Sequence, residues 1–193
     1  MSHIGEYDAK FLKALAEIDG QHAEQVRRDG CPECGGVLDR ADYPRKPRGE
    51  LGEAGGDYER RRSFCCRVDG CRKRATPASL RFFGRKVYFA VLVIVASARA
   101  RSMSLTGRDR PRRVHGVPLR TVCRWLQWWQ GVFALGSFWS AAKGFFAKPV
   151  EEGQLPASLL ERFGSGGVAI EKLLRFTAPI TTTSVVTRIA MAG

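Results

Sequence analysis

Cysteine is the residue type in this chain best placed to do chemistry, and five of the six cysteines lie between positions 31 and 71. Cys31 and Cys34 belong to the sequence Cys-Pro-Glu-Cys-Gly-Gly, which is typical of a knuckle, a tight turn that presents two thiolates to one metal ion. Gly35 and Gly36 suit this turn because glycine adopts positive φ angles without steric cost. The first pair of cysteines therefore indicates half of a metal site.

A second cluster supplies the other half. Cys66 and Cys71 form a looser knuckle that closes at Gly70, and together the two pairs predict a tetrahedral site with the ligands Cys31, Cys34, Cys66 and Cys71. Cys65 is an alternative to Cys66, because adjacent residues of a strand point to opposite faces. His22, which precedes the first knuckle, is a further alternative ligand.

A site of four cysteines is closed, so we expect one structural Zn²⁺ that holds the fold and has no open position for a reacting water. Disulfides are the weaker interpretation, since the polar and acidic N-terminus shows no secretory signal. The three histidines are scattered, and the sequence has no phosphate-cradling glycine loop and no paired acids in an apolar setting. We therefore expect a protein that is not an enzyme.

The charge of the chain is concentrated in its central part. The sequence has 32 Lys and Arg against 19 Asp and Glu, which gives a net charge of +13 and a pI near 10.0. Residues 61–148 carry 19 of the basic side chains and only 2 acidic ones, whereas the flanking segments carry no net positive charge. Localised positive charge favours a polyanionic partner, because neutralised phosphates release their condensed counterions.

The basic block contains a pattern typical of a helix-turn-helix. Gly116 is expected to end a first short helix, and Pro118 suits the first turn of the next helix. From there, apolar residues recur at steps of three and four: Val122, Trp125, Leu126, Trp129 and Phe133.

The opposite face of this second helix carries side chains suited to base edges in a major groove, and the preceding segment carries arginines suited to phosphates. The predicted DNA-binding residues are Arg110, Arg112, Arg113, Arg120, Arg124 and Gln127. An ordinary amphipathic helix with solvated arginines is the alternative. Asp109 is the only carboxylate between Val87 and Val150, so few acids are present to balance these arginines.

These patterns predict an α+β protein that is mainly α. We expect an N-terminal helix over 1–30, a zinc ribbon over 31–83, a helix-turn-helix domain over 84–148, and a C-terminal helical segment and tail over 149–193. The apolar run from Val87 to Ala98 is too short to cross a membrane, so we expect a buried helix or strand there and a cytoplasmic protein with no membrane partner.

The region from Cys31 to Phe133 resembles the zinc-ribbon plus helix-turn-helix region at the front of many bacterial insertion-sequence transposases. The resemblance lies in Cys31-Pro-Glu-Cys34-Gly-Gly, in Cys66 to Arg74, and in Gly116 to Trp125. It implies binding to double-stranded DNA at mobile-element ends or at an operator. The sixty residues after Phe133 contain no aspartate and are too few for the catalytic domain of those enzymes.

The expected function is therefore that of an accessory factor in transposition or of a mobile-element-associated regulator, with a separate transposase or recombinase as a second partner. Two alternatives stay open from the sequence. One is an RNA-binding zinc ribbon protein, because basic helices and ribbons also serve RNA. The other is a protein–protein adaptor in a recombination complex. A homodimer is compatible with each of these functions.

Overall fold

The computed structural model describes residues 9–45, 47–48, 58–84, 86–103 and 110–182. Within them, six α-helices and small antiparallel sheets form the mainly helical α+β fold that the sequence predicted. The chain divides into two compact units. The central unit is Ala90–Leu173, and the N-terminal unit comprises the described residues up to Phe89 together with those from Leu174 onward.

The N-terminal unit begins with the helix α1, which runs from Ala9 to Asp29. Its buried residues recur at helical spacing and include Leu12, Leu15 and Ile18. Gly30 follows with a φ of +79°, the left-handed conformation that commonly terminates a helix. The residues before Ala9 of the predicted 1–30 helix lie outside the described residues.

Three short strands form the sheet beside the cysteines. They are β1 (Leu38–Arg40), β4 (Phe64–Cys66) and β5 (Arg74–Ala75), and the sheet is antiparallel in the order β1-β4-β5. Of these strands, β4 contains Cys65 and Cys66. The strands β2 (Tyr43–Pro44) and β3 (Arg60–Arg61) form a second, two-stranded antiparallel sheet. The small core of this region consists of Ala23, Cys31, Leu38, Phe64, Cys66 and Ala75.

A buried ion pair fixes α1 to the segment that follows the sheet. The Arg81 Nε donates to Asp19 Oδ2 at 2.8 Å, and the two side chains are only 2% and 1% exposed. The hydroxyl of Ser79 and the backbone N–H of Leu80 also donate to the same carboxylate, each at 2.6 Å. These contacts satisfy both carboxylate oxygens, which is the condition under which a buried charge is tolerated.

The C-terminal segment returns to the N-terminal unit. The hydroxyl of Thr181 accepts a hydrogen bond from the backbone N–H of Ser79 at 2.8 Å, and the hydroxyl of Thr182 donates to the carbonyl of Thr76 at 2.5 Å. Residues about 100 positions apart in the chain therefore share one polar cluster.

The central unit is built around the helix α2, which runs from Ala90 to Arg101. Nine of its twelve residues are buried, so most of the apolar run predicted to be a buried helix or strand is a helix covered on most sides. Residues 87–89 of that run precede the helix, and Val87 is exposed. It packs against the later helices α3 (Leu119–Trp128) and α5 (Ala157–Arg162). Among the described residues, no helix is both long enough and apolar enough to cross a bilayer.

The prediction of a first short helix that ends at Gly116 is wrong. Residues 113–118 form a β-hairpin instead, with strands β6 (Arg113–Val114) and β7 (Val117–Pro118). His115 and Gly116 form its two-residue turn with φ angles of +49° and +71°. Two successive positive φ angles are typical of a type I′ turn, whose twist matches that of the paired strands, and they are incompatible with an α-helix. Residues 104–109 of the predicted helix-turn-helix lie outside the described residues.

The predicted second helix is confirmed as α3, which follows β7 directly. Its last turn continues into a π-helical segment, Trp129–Phe133, whose Trp129 and Phe133 rings meet edge to face at 4.8 Å. The remaining helices are α4 (Ser137–Ala142), α5 and α6 (Gly166–Thr177). The helices α5 and α6 lie in the segment 149–193, for which a helical segment and a tail were predicted, and residues 183–193 of that tail lie outside the described residues.

Candidate metal centre and basic surface

The four predicted cysteine ligands lie together. The Sγ atoms of Cys31 and Cys71 are 3.7 Å apart, those of Cys34 and Cys66 are 3.5 Å apart, and all four lie within 4.8 Å of one another. Metal–sulfur bonds of about 2.3 Å in a tetrahedron place the sulfurs about 3.8 Å apart. A disulfide needs a separation of about 2.0 Å. The spacing therefore fits a tetrahedral metal ion and not a pair of disulfides.

The first knuckle is formed by the backbone around Cys31. Its carbonyl accepts from the N–H of Gly35 at 2.8 Å, and its own N–H donates to the carbonyl of Gly36 at 2.8 Å. Burial raises the pKa of the Cys31 thiol, but hydrogen bonds to the backbone of Glu33 and Cys34 outweigh this effect and lower it to about 7. The turn thus favours the thiolate, which is the form that binds a metal.

The second knuckle follows strand β4. The N–H of Cys66 donates to the carbonyl of Lys73 at 2.9 Å, and the N–H of Cys71 donates to the carbonyl of Val68 at 3.1 Å. Gly70 adopts a φ of +85° in this turn, as expected. Burial raises the pKa of the Cys66 thiol to about 12, so a metal ion that binds there has to displace its proton.

Cys65 lies outside the four-cysteine group. In strand β4 it is paired with Asp39 on one side and Arg74 on the other, and its sulfur lies 3.6 Å from the carbonyl oxygen of Arg72. Alternation along the strand therefore places Cys66, which is fully buried, at the site. His22 is not part of the group either.

The predicted DNA-binding residues lie in the central unit, and all six are exposed. Arg110 and Arg112 precede the hairpin, Arg113 begins it, and the other three lie on α3. Arg120, Arg124 and Gln127 share one face of α3 within an arc of roughly 60°. The opposite face buries Leu119, Val122, Trp125 and Leu126 against the unit. The amphipathic packing thus directs the polar face outward.

The arginines of this surface have no acidic neighbour among the described residues. Arg113 donates from Nη1 to the carbonyl of Gly116 at 3.0 Å, and Arg124 donates from Nη2 to the hydroxyl of Thr121 at 3.4 Å. No ion pair joins Arg110, Arg112, Arg113, Arg120 or Arg124 to a described carboxylate.

The arginines around the cysteines behave differently, because carboxylates of the same unit neutralise many of them. The strongest pair joins Arg67 to Asp39 by two hydrogen bonds of 2.6 and 3.1 Å, and this pair lowers the pKa of Asp39. Further pairs join Arg62 to Asp42, Arg72 to Asp69 and Arg40 to Glu24. Within the described part of the chain, ion pairs with carboxylates thus occur beside the cysteines and none involves an arginine of the hairpin or α3.

Arg99 is a further cation of the central unit and was not among the predicted DNA-binding residues. It lies in the last turn of α2 and is exposed. Burial lowers the pKa of His115 at the hairpin turn, and the charge of Arg99 lowers it further. The only signal in the sequence is that Arg99 follows the apolar run, which gives no information about its distance from His115.

Comparisons of this chain with protein-family models, with curated proteins and with solved structures found no match. The site is therefore interpreted from its own geometry.

Proposed function

We propose that this chain is a zinc-dependent protein that binds double-stranded DNA through the exposed face of α3 and the β6–β7 hairpin. The observation that carries the proposal is a difference in ion pairing between the arginines of the two units. Exposed arginines on α3 and the hairpin have no described acidic partner, whereas many of those beside the cysteines are paired. An uncompensated group of cations is electrostatically costly unless an anion covers it.

Zinc is the metal that best suits the four thiolates. A tetrahedral set of four sulfurs is typical of zinc and of iron–sulfur sites, and two knuckles on a small antiparallel sheet are the arrangement of a zinc ribbon. When bound, zinc supplies structural cross-linking of the two knuckles. Cys31 and Cys66 belong to the small core of this region, so metal binding and folding are coupled.

Helix α3 supplies the contacts to bases. Arg120 and Arg124 suit guanine, because a guanidinium donates two parallel hydrogen bonds to its O6 and N7 atoms, and Gln127 suits adenine. The major groove of B-form DNA admits a helix, whereas the major groove of A-form RNA is too deep and narrow for side chains to reach the bases. A helix whose polar face projects outward favours DNA over the RNA alternative.

The narrower role follows from the sequence resemblance alone. It is that of an accessory factor in transposition or of a regulator beside a mobile element, with a separate transposase or recombinase as the second partner.

The experiment that tests this function is a selection from two random pools. The zinc-loaded protein is incubated with random double-stranded DNA and with random RNA at near-physiological salt, and the retained molecules are sequenced. We expect a recurrent DNA motif, and a palindromic motif would indicate a dimer. Preferential retention of RNA, or no retention from either pool, would contradict the proposal.

A further inference from the structure

The last turn of α2 adds a cation to the proposed DNA-binding surface. The Arg99 guanidinium donates from Nη1 to the hydroxyl of Ser102 at 3.0 Å, and that hydroxyl donates back to the carbonyl of Arg99 at 2.9 Å. Within the described part of the chain, Arg99 makes no ion pair with a carboxylate. Its charge is therefore oriented by a neighbouring hydroxyl but left unneutralised.

Arg99 lies near the hairpin. Strand β6 packs against α2, and burial together with the charge of Arg99 lowers the pKa of His115 in the hairpin turn. Arg99 and the arginine of β6 therefore lie on two neighbouring elements of the central unit. Cations on neighbouring chain segments add to one positive potential, which attracts a polyanion.

One face of the hairpin is buried and the other is exposed. Val114 and Val117 are 4% and 0% exposed, whereas the cross-strand pair of Arg113 and Pro118 is exposed. The N–H of Leu119, the first residue of α3, donates to the carbonyl of Arg112 at 3.0 Å. The hairpin is therefore fixed both to the core of the central unit and to the start of α3.

We propose that Arg99, Arg112 and Arg113 form one phosphate-binding edge beside α3, which contacts the backbone of duplex DNA while α3 contacts base edges. This inference rests on the proposed function and adds a second chain element, α2, to it. Arginines on a fixed ribbon and at a helix end suit phosphates, because such contacts set the position of a protein on the duplex without selecting a sequence. Duplex DNA is the partner, since its regularly spaced phosphates match an edge that is itself rigid.

The test is the salt dependence of binding. The full-length, zinc-loaded protein is titrated into a labelled random-sequence duplex and into a selected duplex at several salt concentrations. Each phosphate contact contributes about 0.9 to the slope of log K against log salt. We expect the double variant Arg99→Gln/Arg113→Gln to lower the magnitude of the slope by about 1.8 on both duplexes. The sequence preference of the variant should stay unchanged.

The matched control is Arg162→Gln, which removes an exposed charge from the same unit. Arg162 lies at the end of α5 and donates to the carbonyl of Pro149 at 2.8 Å. We expect it to keep the wild-type slope, with melting curves showing that all variants are folded. An unchanged slope for the double variant, or an equal loss for Arg162→Gln, overturns the inference and leaves the proposed function standing. A wild-type protein that fails to bind duplex DNA overturns the proposed function itself.

Discussion

The adjacent cysteines of strand β4 allow a sharp test of the metal centre. Cys66 points into the group of four sulfurs and is fully buried, whereas the sulfur of Cys65 lies on the other side of the strand near the carbonyl of Arg72. Replacing either residue with serine changes one atom of the side chain. We expect Cys66→Ser to abolish stable zinc binding and Cys65→Ser to leave one zinc per protein.

The size of the effect follows from the small core around the site. Only six residues form the buried cluster beside the knuckles, and two of them are the ligands Cys31 and Cys66. Structural zinc contributes about 10–16 kcal/mol of apparent binding free energy at neutral pH, which is comparable with the whole stability of a domain, about 5–15 kcal/mol. Loss of the metal should therefore unfold this region, while Cys65→Ser should change the free energy of unfolding by less than about 0.5 kcal/mol.

The assay combines metal analysis by mass spectrometry with thermal melting. Cobalt substitution gives a second readout, because four thiolates around Co²⁺ produce strong sulfur-to-metal charge-transfer bands. We expect those bands in the wild type and in Cys65→Ser, and not in Cys66→Ser. The assignment is refuted if Cys66→Ser retains stoichiometric metal, or if the two variants lose it equally.

Three further predictions concern the turns, the buried ion pair and the helix face. Gly30→Ala should lower the melting temperature more than Gly70→Ala does. Both glycines have positive φ, where an alanine costs about 1–2 kcal/mol. Only at Gly30 would the new Cβ also lie 2.7 Å from a backbone oxygen. Asp19→Ala should lower the free energy of unfolding in denaturant by about 3–5 kcal/mol, because it leaves the buried guanidinium of Arg81 without its carboxylate. Asp39→Ala removes a more exposed carboxylate and should change this free energy little. Equal losses would show that burial does not decide the effect. Arg124→Ala should cost about 1–3 kcal/mol on a selected duplex and relax the base choice in a repeated selection, and equal losses on all sequences would make it a phosphate contact.

The parts of the fold that could be predicted are those with local signals. The spacing of Cys31 and Cys34 before two glycines identified the first knuckle, and the spacing of Cys66 and Cys71 around Gly70 favoured Cys66 at the second one. The apolar period that includes Val122 and Trp125 predicted α3 because helix packing repeats every three to four residues. In each case, neighbours in the sequence supply the information.

The parts that could not be predicted depend on which segments pair or pack with one another. A glycine after a basic stretch is typical both of a helix end and of a hairpin turn, and only the pairing of Val114 with Val117 decides for the hairpin. Arg81, the ion-pair partner of Asp19, lies 62 positions away, and no sequence pattern around either residue indicates the other. The effect of Arg99 on His115 likewise depends on the packing of β6 against α2, which no sequence pattern indicates.

The most direct test of the central claim compares equal losses of charge from the two units. Arg120→Ala/Arg124→Ala removes two unpaired cations from α3, and Arg67→Ala/Arg72→Ala removes two that are paired with Asp39 and Asp69. Binding to a selected duplex is measured by fluorescence anisotropy. At about 1–3 kcal/mol for each base contact, we predict a loss of roughly 30-fold or more for the α3 variant and almost none for the other variant. Equal losses would show that only net charge matters, and a larger loss for the second variant would place the DNA on the cysteine-bearing unit.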